Sequence, residues 1–519
     1  MCGIFAYISD SPEDIVKLKK NGMKSVHRGP DSTHDLCLHN NESFIYFLFH
    51  RLAINGLNSK SDQPMRIQKY KNYILMCNGE IYNFKDLAKK YKLELETDSD
   101  CEIILHLYEK CKVNENLSYY INFFIQQLDG VFSFIIYDIL LDTIVVGHDP
   151  FGIRPLYISK KENTFIFSSE MKCMVDLTDK IDFYPPGSFS IIDLKNKTDE
   201  SHVYYPIIYE PITFKDETII LHNIRNRLET AVQKRFVTDR PFGCLLSGGL
   251  DSSIITSIVC NLIGPSNVKT FAIGLEGSPD LLSAQKVATY LGTNHTNVIV
   301  TEKEMLEAID PTIYQIESND ITTIRASVPM FLLSKYIRDN TDIKVIFSGE
   351  GSDEASGSYL YFHNAPNPKE FQQECIRLLR DVRYFDVLRS DKTTAGAGLE
   401  IRVPYFDKEF MKYYMGIPPE KKMIRDGMEK YLLRKAFESD LPEEIVWRRK
   451  DGFSDGVSKM DKPWYEIIEE YSQENFLCKE SELYQKIYNK YYLGINNIPY
   501  MWMPKWSNQN NPSNRLIID

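Results

Sequence analysis

The sequence predicts an α/β protein in two parts: a sandwich of two sheets flanked by helices, then a parallel-sheet domain that ends in a largely helical region. Three observations predict it. Up to about residue 190, short apolar runs recur between turn residues. From about residue 218, apolar strands alternate with longer stretches of helical periodicity, the pattern of a parallel sheet. Beyond about residue 370 the pattern is mostly helical. At 519 residues the chain is well past the size at which one core keeps growing, so two or three domains are expected.

In chain order, Ile45 to Phe49, Tyr73 to Cys77, Val131 to Tyr137, Thr143 to Val146 and Thr164 to Phe167 read as strands of the first part. Asp98 to Tyr108 reads as a helix, with Asp98, Ser99 and Asp100 supplying N-terminal capping chemistry. The polar run Asp193 to Ser201 and the proline-bearing Tyr205 to Thr213 mark a connection. The expected organisation is a domain over 2–190, a linker over 191–215 and a second domain over 216–519. Within the latter, Phe242 to Leu246 and Lys344 to Phe347 are buried strands, each running into a glycine-rich turn.

Composition narrows the function classes. A formal charge of −11 argues against nucleic acid as the main partner. The most apolar region, Phe123 to Val146, is interrupted by Asp129, Asp138 and Asp142, so no membrane span is expected. Asp10, Glu13 and Asp14 fall where the apolar core of a signal peptide would lie, which predicts a cytosolic protein. The ten cysteines form no CxxC pairs and no Cys/His clusters, so neither a zinc site nor a disulfide framework is indicated.

Cys2 is the first candidate for chemistry. Loss of Met1 would leave a thiol beside a free α-amine with a pKa of about 8, a nucleophile with its own base. The strongest local signal is Ser247-Gly248-Gly249-Leu250-Asp251-Ser252-Ser253, between a strand and the helix Ile254 to Leu262. Small residues there let backbone N–H groups approach a polyanion, and Ser252 and Ser253 add hydroxyls. The lysine of a Walker A loop is missing, and Asp251 instead suggests a carboxylate bridging to phosphate through Mg²⁺. Ser348-Gly349-Glu350-Gly351-Ser352-Asp353-Glu354 follows a second strand, so Asp353 would share the crevice and the metal with Asp251, leaving Glu350 for base chemistry or positioning. In Arg448-Arg449-Lys450-Asp451-Gly452, Lys450 could neutralise charge on transferring phosphates. In the first part, Asn78 and the Gly79 N–H could donate to an oxyanion, Arg51 could hold a carboxylate, and Glu80 with Asp100 an ammonium. Those acids could equally cap helices or pair with arginines.

Taken together, these residues resemble the glutamine-hydrolysing asparagine synthetases over essentially the whole chain. The first half is similar to class II glutaminases with the αββα sandwich of the N-terminal-nucleophile type, through Cys2-Gly3-Ile4, His27 to Asp31, Arg51-Leu52, Asn78 to Asn83 and Asp149 to Pro155. The second resembles the ATP pyrophosphatase type, through Ser247 to Ser253, Ile316 to Ser327, Ser348 to Glu354, Glu400 to Pro404 and Lys450 to Gly456. The resemblance implies Cys2 as nucleophile, Asn78 and Gly79 as oxyanion hole, and Arg51, Leu52, Ile54, Glu80 and Asp100 as glutamine contacts. It further implies that Leu245, Ile273, Ser348 and Gly349 join Ser247, Gly248, Gly249, Asp251 and Ser252 at ATP, with Asp251 and Asp353 on Mg²⁺. Glu350 and Lys450 would act in adenylation, and Thr322 and Arg325 would bind aspartate. A β-aspartyl-AMP intermediate, internal transfer of NH₃ and a homodimer are implied as well. Ala355, Ser358, Ala397 and His148 depart from the family pattern.

Overall fold

Period-2 alternation gives the central N-terminal strands two apolar faces, and the structure buries both. The computed structural model describes residues 1–40, 43–111, 116–213, 216–450, 452–496, 498–507 and 512. The end of the expected linker (214–215), Asp451 and nearly all of the polar tail lie outside the described residues. The first part contains β1 (Gly3–Ser9), β2 (Ser32–Asn40), β3 (Ser43–Arg51), β4 (Tyr73–Ile81), β5 (Gly130–Asp138), β6 (Thr143–His148), β7 (Tyr157–Lys161), β8 (Thr164–Ser168), β9 (Asp182–Phe183), β10 (Ser188–Asp193) and β11 (Thr198–Val203). They form two sheets, ordered β2-β3-β1-β8-β7-β9 and β11-β10-β6-β5-β4.

Ile4, Ala6 and Ile8 of β1 and Phe47 and Phe49 of β3 meet Ile74, Met76, Ile135 and Tyr137 of the opposite sheet in one core. The alternate residues Phe5 and Tyr7 pack on Leu18 of the helix Ile15–Gly22. On the other side, Cys77 and Phe134 pack on the helices Glu102–Cys111 and Leu117–Gln127. Four layers result, as expected of an αββα sandwich. Each fully buried large apolar side chain contributes about 1.5–3 kcal/mol.

Two expectations are corrected. The polar run taken as linker forms most of the β10–β11 hairpin, so the sandwich continues to Val203. β11 is an edge strand with almost every residue exposed, so no apolar alternation marked it. The helix expected from Asp98 starts at Glu102 because Asp100 is used elsewhere, accepting from the Ile81 N–H of β4 at 2.6 Å.

The second part is built on a parallel sheet of β12 (Phe242–Leu245), β13 (Lys269–Leu275), β14 (Asn294–Val300), β15 (Val345–Phe347) and β16 (Glu400–Arg402), ordered β14-β13-β12-β15-β16. From β12 the chain builds first to one side and then returns to the other, which puts a topological switch between β12 and β15. Both glycine-rich turns leave the sheet at that switch. Helices dominate after residue 400, including Trp464–Phe476 and Glu480–Tyr492. No described helix is long and apolar enough to cross a membrane.

A buried seam of charges joins the two parts. Arg28 pairs with Glu170 at 3.3 Å and with Asp391 at 2.8 Å, and Arg154 pairs with Asp391 at 3.3 Å and Glu400 at 3.6 Å. Lys172 pairs with Glu170 at 2.8 Å, while Glu317 takes Lys392 and the backbone N–H groups of Met171 and Lys172. All these side chains are at most 2% exposed, so each charge depends on its partner for solvation. Asp391→Asn would leave Arg28 and Arg154 short of compensation. It should lower stability by about 3–5 kcal/mol, read as an earlier urea midpoint; an unchanged midpoint would mean that solvent reaches the seam.

Candidate active sites

The first site lies where β1 begins beside β4. The Cys2 N–H donates to Asn78 Oδ1 at 2.8 Å, the Cys2 thiol lies 3.7 Å from the Leu52 carbonyl, and Arg28 Nε donates to the Cys2 carbonyl at 2.8 Å. With its oxygen engaged by Cys2, the Asn78 amide leaves Nδ2 buried and without a partner. An orphaned buried donor beside a thiol suits an oxyanion. Gly79 is required by crowding: a Cβ there would sit 2.3 Å from the Val131 carbonyl oxygen of β5.

Burial pushes the Cys2 thiol pKa up, against the pull of the neighbouring terminal ammonium, here on Met1. That ammonium is itself pushed down by burial, so an amine in this position is a ready base. Burial also raises the Asp100 carboxyl to about 6, although the Ile81 N–H opposes it. Glu80 lies two residues beyond Asn78 on the same face of β4 and accepts from the Asn55 amide.

Two predicted contacts are engaged otherwise. The terminal nitrogens of Arg51 donate to the carbonyls of Asn55, Gly56 and Asn58 and to Asp62, so Arg51 staples the loop that walls the site. The Ile54 carbonyl accepts from Asp239 N at 2.9 Å, tying that loop to the second part of the chain.

The second site is the cavity at the sheet switch. It is lined by Leu245, Ser247, Gly249, Asp251 and Ser252 from the first turn, Ile273 from β13, Ser348, Gly349, Glu350 and Asp353 from the second, and Thr322 and Lys450. Gly248 has φ +71°, and a Cβ there would lie 2.4 Å from Ala284 N. The turns touch, since a Cβ on Gly349 would meet Ser252 N at 2.7 Å. Both glycines are therefore demanded by close approach of backbones.

Asp251 and Asp353 are brought together. Lys430 bridges them, at 2.5 Å from Asp353, and Lys450 also reaches Asp353. Burial would raise the Asp353 carboxyl, but Lys430 and Lys450 outweigh it and hold the pKa well below the usual carboxylate range. Asp251 Oδ1 is buried and lacks a hydrogen-bond partner. Two adjacent carboxylates gathered on one cation, with an orphaned oxygen, fit a divalent ion that completes its shell with phosphate and water. Among the described residues no cluster of three or more acidic, His or Cys ligands forms, so substrate oxygens would be needed.

Glu350 accepts from Arg389 at 2.8 Å through both oxygens, and burial raises its pKa against that cation. Thr322 lines the cavity with its hydroxyl on Asp320 at 2.7 Å. Arg325 does not line it: the guanidinium is buried and paired with Glu480, which corrects its expected place among the aspartate contacts. It faces away because the helix Ile321–Asn340 presents a different side to the cavity.

Lys430, Arg389 and Asp386 were not singled out from the sequence. Lys430 has φ +58° and follows a turn closed between Arg425 and Met428, a geometry that no local motif announces. Two of the departures from the family pattern are explained. Ser358 donates to Asp353 at 2.5 Å, and His148 braces the 149–155 turn through the Arg154 carbonyl at 2.8 Å.

The chain matches the asparagine synthase family over residues 223–370 and 364–493 and the glutamine amidotransferase domain family over residues 1–206. It is 39% identical to the glutamine-hydrolysing asparagine synthetase of Mus musculus over 565 aligned positions, covering 100% of this chain and 98% of that protein. The Homo sapiens and Gallus gallus proteins of the same name are also 39% identical, with the same coverage. A thiol site with an orphaned amide donor, a glycine-turn cavity with paired carboxylates and full-length similarity agree: this chain belongs to the glutamine-hydrolysing asparagine synthetases.

Proposed function

We propose that this chain makes asparagine in two linked half-reactions, one at Cys2 and one in the cavity of the parallel sheet. At the first, the Cys2 thiol gives its proton to the α-amine exposed by loss of Met1 and attacks the glutamine amide carbon. Asn78 Nδ2 and the Gly79 N–H stabilise the oxyanion, worth about 3–4 kcal/mol per donor in such sites. The proton returns to the departing nitrogen, NH₃ leaves, and water hydrolyses the thioester to glutamate. Leu52, Glu80 and Asp100 hold the substrate, with Arg51 and Ile54 supporting the wall.

At the second, the side-chain carboxylate of aspartate attacks the α-phosphorus of ATP, pyrophosphate departs, and NH₃ displaces AMP from the β-aspartyl carbon. Leu245 and Ile273 flank the base while Ser247, Gly248, Gly249, Ser252, Ser348 and Gly349 cradle phosphates. Asp251 and Asp353 would hold Mg²⁺, which when bound supplies charge neutralisation on the phosphates. Lys450 and Lys430 carry positive charge at the same place. Glu350, poised by Arg389, accepts a proton as NH₃ attacks, and Thr322 contributes to aspartate binding.

The observation that carries this reading is the pair of unsatisfied buried atoms, Asn78 Nδ2 at the thiol and Asp251 Oδ1 at the cradle, one in each half of the chain. Neutral NH₃ has to cross between them shielded from water, because ammonium does not attack. A cytosolic setting is supported by ten cysteines that are all free thiols, and a homodimer follows from the resemblance alone.

Cys2→Ala should abolish asparagine formation from glutamine and leave synthesis from ammonium chloride within about threefold of wild type, since residues acting only at the thiol site do not touch the synthetase barrier. Loss of both activities in a folded variant would refute the division of labour. Asp353→Asn should cut pyrophosphate release by at least about a hundredfold, the scale of a lost charge at a phosphoryl-transfer centre, while basal glutaminase persists. Unchanged pyrophosphate release would remove Asp353 from the metal site.

A further inference from the structure

The Glu400-Ile401-Arg402 strand has no part in the chemistry so far, yet it touches both sites. Its backbone accepts Ser348 N through the Arg402 carbonyl at 2.9 Å, at the head of the nucleotide cavity. Its side chain runs the other way. Arg402 is 1% exposed, donates from Nε to Glu400 at 2.9 Å and from Nη1 to the Arg235 and Val237 carbonyls, and lies over the Tyr82 ring at 5.7 Å. The remaining nitrogen, Nη2, is buried without a hydrogen bond and lies 3.5 Å from Glu80 Oε2.

We propose that Arg402, a residue of the synthetase half, is a positioning residue for glutamine: it favours the charged form of the Glu80 carboxylate and faces it toward the substrate's α-ammonium. The proposal rests on the reading of Glu80 as a glutamine contact. Without a cation, a carboxylate buried at this depth takes up a proton and stops attracting an ammonium. Burial, with the neighbouring Asp100 and Glu400, holds the Glu80 pKa well above the usual carboxylate value, and Arg402 and Arg154 pull it back toward the charged form. Arg154 turns its terminal nitrogens to Asp391 and Glu400, whereas Arg402 Nη2 lies against Glu80. At 3.5 Å Arg402 acts on Glu80 through its charge, while the hydrogen bond to the same oxygen comes from the Asn55 amide. The glutamine pocket is thus completed by the other domain.

The test is the pH dependence of KM for glutamine in the full-length enzyme, with ammonium-dependent synthesis as a control for folding and for the synthetase site. Arg402→Gln should move the acid-side rise in KM upward by about one pH unit, giving about a tenfold higher KM near neutrality that recovers in alkali. Arg402→Lys, which keeps the charge, should follow the wild-type profile. Asp100 also feels the Arg402 charge, so its own upward displacement adds to that of Glu80 in Arg402→Gln, whereas Glu80→Asp leaves Arg402 in place beside Asp100. If Arg402→Gln does not fold, Glu80→Asp makes the same test by drawing the carboxylate back from Arg402, and the same upward displacement is expected. An Arg402→Gln or Glu80→Asp profile that superimposes on wild type overturns the inference. A wild-type enzyme that hydrolyses no glutamine would instead overturn the underlying reading of the pocket.

Discussion

Pairing of buried charges between the two halves is the constraint on which the rest of the structure depends. Arg28, Arg154, Glu170, Lys172, Glu317, Asp391 and Lys392 are all withdrawn from water, and each would lose a partner that offsets its burial if the domains shifted by a few ångströms. Hydrophobic contact alone would tolerate sliding. A chain of alternating charges with fixed hydrogen-bond directions does not, because each displaced ion loses the partner that replaced its solvent. The seam therefore sets the distance and orientation between a thiol on one side and a phosphate cradle on the other.

The two sites solve opposite electrostatic problems. Beside Cys2 lie an uncharged buried donor, Asn78 Nδ2, and a terminal amine on Met1 whose pKa burial lowers, surroundings that suit a reaction whose charge appears only on a transient oxyanion. At the sheet switch it gathers Lys430 and Lys450 around Asp251 and Asp353, suiting a substrate that arrives with several negative charges. Arg28 and Arg154 stand between them. Arg28 reaches from the Cys2 carbonyl to Asp391, so the wall of the thiol site and the seam are one structure.

What was legible in the sequence was what is local. The Ser247 to Ser253 and Ser348 to Glu354 turns announce themselves because the strand, glycines and helix start are contiguous, and they meet at the switch as their topology requires. Cys2 was legible from its place in the chain. Lys430 was not, because nothing near residue 430 signals a carboxylate pair supplied from residues 251 and 353. Arg325 was misplaced for the same reason: its partner Glu480 lies 155 positions further on, and only packing reveals which face of its helix looks into the cavity. The β11 edge strand carried no apolar alternation, so polarity alone made it read as linker. The seam is assembled from single charges far apart in the chain, and nothing local to any of them names its partner.

The central claim is that nitrogen released at Cys2 is consumed in the cavity of the same molecule without mixing with bulk ammonia. The most direct measurement supplies glutamine labelled with ¹⁵N in the side-chain amide together with excess unlabelled ammonium chloride, and follows the label in the asparagine formed. A fixed seam between the sites predicts that asparagine made at saturating glutamine keeps most of the label as the unlabelled pool is raised. Dilution in proportion to the bulk pool would contradict the account.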